Sequence, residues 1–162
     1  MRGANLQKKV MANIHFNRFG IEHDSFIKEL KQELTCYKND TEVIRALRAV
    51  LHTLRERITT QHAIHLLSNL PAFLKLYFVE DWKYREQPIR YHSTEEFCEA
   101  VEKELYHLGE RNEKRTLSAA AISNVVLSSL KKYWSDQAVE KIFTEMPPEL
   151  FIFFENNKPH RK

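Results

Sequence analysis

Apolar residues recur along this chain at steps of three and four rather than in alternation, the spacing of amphipathic helices rather than strands. Val43, Leu47, Val50, Leu51, Leu54 and Ile58 fall within an arc of about 100° when wound at roughly 100° per residue. This predicts a helix over Thr41 to Arg57 with that arc turned to a core. Asn39 and Glu42 before it form a capping pattern, which satisfies free N–H groups at a helix start. Thr59-Thr60 breaks the pattern and caps a third helix whose buried side is Ala63, Ile64, Leu66, Leu67 and Leu70. Pro71 suits the first turn of a short fourth helix ending at Phe78, where the N–H it lacks has no intrahelical partner. A first helix opens near Asp24 with Phe26, Ile27, Leu30 and Leu34 on one face. Ahead of it, Leu6, Val10 and Ile14 mark a short docking helix that Gly20 ends.

The pattern then repeats. Sliding Pro71 onto Pro147, an offset of 76, places Val50 on Val126, Leu51 on Leu127, Leu54 on Leu130, Gln61 on Gln137, Leu74 on Leu150 and Phe78 on Phe154. Phe97, Cys98, Val101 and Leu105 answer the first helix at an offset of 71, and a longer polar loop, Gly109 to Lys114, absorbs the difference. Ser93-Thr94-Glu95-Glu96 supplies the capping box there. The unit is too long for the common solenoid repeats, so the reading is all-α: a tandem duplication of a four-helix module packed as one compact helical domain, plus an N-terminal helical arm. Residues 1–20 are the arm, 21–78 repeat one, 79–92 a connector, 93–155 repeat two and 156–162 a polar tail. Trp82, Tyr84, Pro88, Ile89 and Tyr91 make the connector too aromatic for a flexible linker and predict packing across both halves. Ala119 to Leu130 is apolar or small over most of its circumference, which predicts the central, buried helix.

Composition agrees with helices: three Gly and five Pro in 162 residues leave little material for the turns of a many-stranded fold. No apolar run approaches the roughly 18 to 20 residues that span a membrane, and Met1-Arg2-Gly3-Ala4 leads into a polar stretch, so a cytoplasmic location is expected. Cys36 and Cys98 lack any Cys-x-x-Cys or Cys-His spacing and read as reduced thiols. The net charge of +3 is too small to exclude any class of partner.

Leu47-Arg48-Ala49-Val50-Leu51-His52-Thr53-Leu54-Arg55-Glu56-Arg57, then Leu70-Pro71, then the Trp82 connector with Pro88 and a helix starting near Phe97 together resemble domain of unknown function 2267, a bacterial family. The likeness covers about residues 24–155. It implies a small, all-helical duplicated domain without an established activity and carries over no catalytic residue. The Leu6 to Gly20 arm is an addition to the usual pattern.

Candidate chemistry is sparse. Arg45, Arg48, His52 and Arg55 fall within an arc of roughly 80° opposite the core stripe. This basic ridge could contact phosphates or an acidic protein surface, and the plainer reading is a solvated helix face with Glu42 and Glu56 as local partners. The matching residues of repeat two are Ala121, Asn124, Ser128 and Lys131, so any binding role belongs to the first copy. His62 and His65, one turn apart, supply only half of a tetrahedral metal set, and their counterparts Ala138 and Lys141 do not complete it; surface histidines are the plainer reading. No phosphate loop, nucleophile elbow, His-Glu-x-x-His or calcium loop is present, and Glu80-Asp81 reads as connector charge. Phe151-Ile152-Phe153-Phe154 reads as a buried helix, or else as a contact with a partner or second copy. The resulting expectation is a non-enzymatic interaction module of the bacterial cytoplasm, without cofactor or metal, bound to an unidentified protein or to itself. Its rivals are an anion or nucleic-acid binder using the ridge and a metal-dependent enzyme centred on the histidine pair.

Overall fold

The computed structural model describes residues 2–144 apart from residue 112. Among these residues every regular element is helical: α1 (Arg2–Glu33), α2 (Asp40–Arg57), α3 (Thr60–Ser68), α4 (Ala72–Val79), α5 (Thr94–His107), α6 (Ala119–Leu130) and α7 (Asp136–Thr144), with a single 3-10 turn at Lys131–Tyr133. The Phe151 to Phe154 segment, the rest of the expected last helix and the tail at 156–162 lie outside the described residues.

Local chemistry sets most boundaries. Asn39 accepts the Glu42 N–H while the Glu42 side chain accepts the Asn39 N–H, the full capping box. Thr59 caps α3 through the His62 N–H at 3.3 Å, and Ser135 caps α7 through the Ala138 N–H at 3.2 Å. Ser93 and Ser118 do the same for α5 and α6. Pro71 stands one residue outside α4 as its N-cap, and its carbonyl accepts the N–H groups of Leu74 and Lys75.

Three expectations fail. Ile64, expected on the buried side of α3, is exposed, and the core contact of that helix is made by Ala63 and Leu66. Gly20 does not end a docking helix: α1 runs unbroken from the arm into the body for 32 residues. A helical glycine costs only about 1 kcal/mol, and next to it Phe19 is held by an edge-on contact with Phe73 of α4, centroids 6.3 Å apart. The central helix is α2, not α6. It packs against α1, α4, α5 and α6 and is buried over most of its circumference, whereas Ala120, Ala121, Asn124, Val125, Ser128 and Ser129 leave one side of α6 half-covered. The small side chains of α6 do not draw another described helix onto that side, because the outer wall of α2 is where α4 and α5 dock.

The core joins the earlier and the later described helices. Phe26, Ile27, Leu30 and Leu34 of α1 pack with the stripe of α2, and Phe97, Val101 and Leu105 of α5 with Val126, Leu127 and Leu130 of α6 in the same cluster. Trp134 donates its indole N–H to the Leu66 carbonyl, tying the region before α7 to α3. In the connector, Trp82 lies edge-on to Phe78 at 5.8 Å and Tyr91 edge-on to Phe97 at 6.0 Å, and the Ile89 N–H bonds the Glu56 carbonyl. Tyr84 points to solvent.

Candidate functional site at the junction of α2, α4 and α5

Helix α4 is short and its last carbonyls need partners, because the end of a helix leaves C=O groups without intrahelical donors. No glycine follows it; the turn is made by Asp81 in the left-handed region, φ 54°. The donors come from α2. His52 Nε2–H bonds the Tyr77 carbonyl at 2.9 Å, and Arg55 Nη1 donates at 2.6 Å to the carbonyls of both Phe78 and Glu80. Arg48 Nε meets the Glu80 carboxylate at 2.5 Å. Cationic donors also suit the negative end of the α4 dipole.

The expected basic ridge is thus neither a solvated face nor an open row of cations. Its back wall is covered by α4 and α5: His52 and Arg55 are buried and Arg48 is half-buried. The named donors of Arg48, His52 and Arg55 are engaged inside the chain. Arg45 stands apart from this group, half-buried beside Gly109, where its guanidinium would lie 3.9 Å from an added Cβ. Periodicity missed this arrangement because it assigns charged positions to water, and the groups that cover them belong to other helices.

The third wall is α5. Glu104 Oε1 lies 3.0 Å from His52 Nδ1, so the imidazole is clamped between a carboxylate and a backbone carbonyl. Burial pulls His52 below its ordinary proton affinity, opposed by its contact with Glu104. Burial likewise lowers Arg55, against the pull of Glu56 and Glu104. In front of the pair a polar cleft of about 180 Å³ opens, lined by Asp81, Lys83, Arg85 and His107 as well as His52 and Glu104. Arg85 closes one edge with a 2.7 Å bond to Glu56. Glu104, Lys83, Arg85 and His107 carry no signal in the sequence, since nothing local links them to α2.

A second polar knot fixes the long loop. Tyr37 donates to Glu110 at 2.7 Å, Arg115 donates to the other Glu110 oxygen at 2.6 Å, and Arg115 also pairs with Glu102. Burial and the Glu110 carboxylate hold the Tyr37 proton well above the usual phenol range. Cys36 and Cys98 are free thiols, both raised by burial. His65 is exposed and His62 half-buried on α3, and among the described residues no three His, Cys, Asp or Glu side chains gather into a metal site. His23 of α1 contacts the Tyr77 hydroxyl at 2.8 Å and Asp24 at 2.9 Å. No helix of the described residues is long and apolar enough to cross a membrane.

No curated protein matches the chain. A family model does, over residues 23–152, from the first core residues of α1 past the end of α7 and with the α2, α4 and α5 junction inside it. The match spans most of the chain, which therefore belongs to the family of uncharacterized conserved proteins designated DUF2267.

Proposed function

We propose that this protein is a non-enzymatic helical interaction module and that α1 is its contact element. One observation carries the reading. The core-facing side of α1, marked by Phe19, Phe26, Ile27 and Leu30, continues one turn further to Phe16, which is 78% exposed. Leu6 and Ile21 on the same helix are 65% and 70% exposed. Large apolar groups on a helix that runs beyond the body mark a surface to be covered. Exposed Lys8 and Lys9 on the arm suit a partner whose apolar groove has an acidic rim.

The body behind the arm is, in this reading, a duplicated four-helix module. Its support is the register of buried positions: Val43, Ala46, Leu47, Val50, Leu51 and Leu54 of α2 and, each 76 residues on, Ala119, Ile122, Ser123, Val126, Leu127 and Leu130 of α6. Helices α3 and α7 also begin 76 residues apart, each after a hydroxyl cap. The unpaired Cys36 and Cys98 suit a reducing bacterial cytoplasm. A photo-crosslinking side chain at position 16, compared with one at Glu99 on the exposed face of α5, tests the reading in cells. A discrete protein adduct from position 16 alone is expected. Equal adducts from both positions, or none from position 16, would reject the arm as the contact element.

A further inference from the structure

The His52 clamp has a proton count that its neighbours dictate. A backbone carbonyl only accepts, so the bond to Tyr77 fixes a hydrogen on Nε2. The other nitrogen faces Glu104 Oε1 at 3.0 Å. If His52 is neutral, Nδ1 presents a lone pair to a carboxylate that presents lone pairs in return, and the contact repels. One added proton, on Nδ1 or on the carboxylate, turns it into a charge-assisted or neutral hydrogen bond. Glu104 has somewhere to go when the contact fails: its side chain is 28% exposed and borders the polar cleft. His52 is buried and fixed by Tyr77, so the movement falls on Glu104.

We propose that His52 and Glu104 form a proton-operated latch between α2 and α5, closed when the pair takes up a proton and released into the cleft when it loses it. The surrounding charges oppose one another rather than holding either state. Arg48 of α2 pairs with Glu80, Arg55 of α2 and Arg85 of the connector both face Glu56, and Asp81, Lys83 and, from α5, His107 line the cleft. On α1, His23 and Asp24 reach only the Tyr77 hydroxyl side. Burial keeps His52 below the roughly 6.5 of an exposed histidine, so closure comes on acidification below that value. The sign for stability follows. The unfolded chain binds this proton more readily than the folded one, so the contribution of His52 is fully present above about 6.5 and is lost as pH falls through the lower folded value.

Glu104→Gln and Glu104→Ala fix the latch in opposite states. The amide of Gln can donate to the neutral imidazole without any added proton, whereas Ala leaves nothing to contact. Nitrogen-15 spectra of the full chain between pH 5 and 8 should show Nε2 protonated throughout and Nδ1 gaining its proton on acidification. Backbone amides of Val101 to Leu108 should move with the same midpoint. In Glu104→Gln those amides should hold their low-pH positions across the range, and in Glu104→Ala their high-pH positions. Full protonation of both ring nitrogens up to pH 8, or α5 amides that titrate in either variant as in the parent, would overturn the proposal.

Discussion

Helices α2 and α6 bury the same register and differ on the reverse side. Six positions of α2 from Val43 to Leu54 are buried together with the residues 76 further on in α6. Behind that shared stripe, α2 carries Arg48, His52 and Arg55 into the end of α4 and the side of α5, while Asn124 and Ser128 of α6, and Lys131 of the 3-10 turn after it, are half-covered. The stripe holds the fold and tolerates either helix. The polar work, satisfying the carbonyls of α4 and clamping Glu104, belongs to α2. Two helices with one inner face can therefore have different duties set by what covers their backs.

The shared stripe is tested most severely by Leu54→Ala and Leu130→Ala. Both leucines are fully buried, so each truncation should cost about 2–5 kcal/mol in chemical denaturation. A loss confined to one of them would break the equivalence of the two helices. The reverse side comes next. Arg55→Met keeps the length of the side chain but strands the carbonyls of Phe78 and Glu80, at about 1–3 kcal/mol. Denaturant titration with no change would mean that water serves α4 equally well.

Smaller effects sharpen the contrast at the helix starts and in the stripe itself. Asn39→Ala removes a reciprocal capping box and Ser118→Ala a single bond. Each should cost about 1 kcal/mol, with the larger loss at Asn39, and thermal melts showing the reverse order would place more strain on the α6 start than the structure does. Ser123 occupies the place of Leu47 yet its buried hydroxyl meets no partner among the described residues. Ser123→Ala should therefore raise stability by about 0.5 kcal/mol, since a methyl needs no partner and alanine is the better helix former. A drop of the same size would show that the hydroxyl is satisfied.

What could be read from the chain was what is local. Val43, Leu47, Val50, Leu51, Leu54 and Ile58 are all buried, and the caps at Asn39, Thr59 and Ser93 stand where their spacing put them. The continuity of α1 through Gly20 was not legible, because glycine carries a small local penalty and the contact of Phe19 with Phe73 is remote in sequence. The candidate site escaped for the same reason. Charged residues on a helix read as solvated unless the acceptors are known, and those of Arg55 are carbonyls of another helix, which no side-chain pattern reports.

The two partners of His52 also differ in when they are made. Tyr77 follows it by 25 residues and Glu104 by 52. At a synthesis rate of about 5–20 residues per second, the carbonyl leaves the ribosome a few seconds before the carboxylate. During that interval the α2 to α4 contact is available and the α5 wall is not. The imidazole can thus be oriented by backbone before it meets the Glu104 carboxylate, and a nascent chain halted before Glu104 would hold His52 by the Tyr77 carbonyl with the latch unformed.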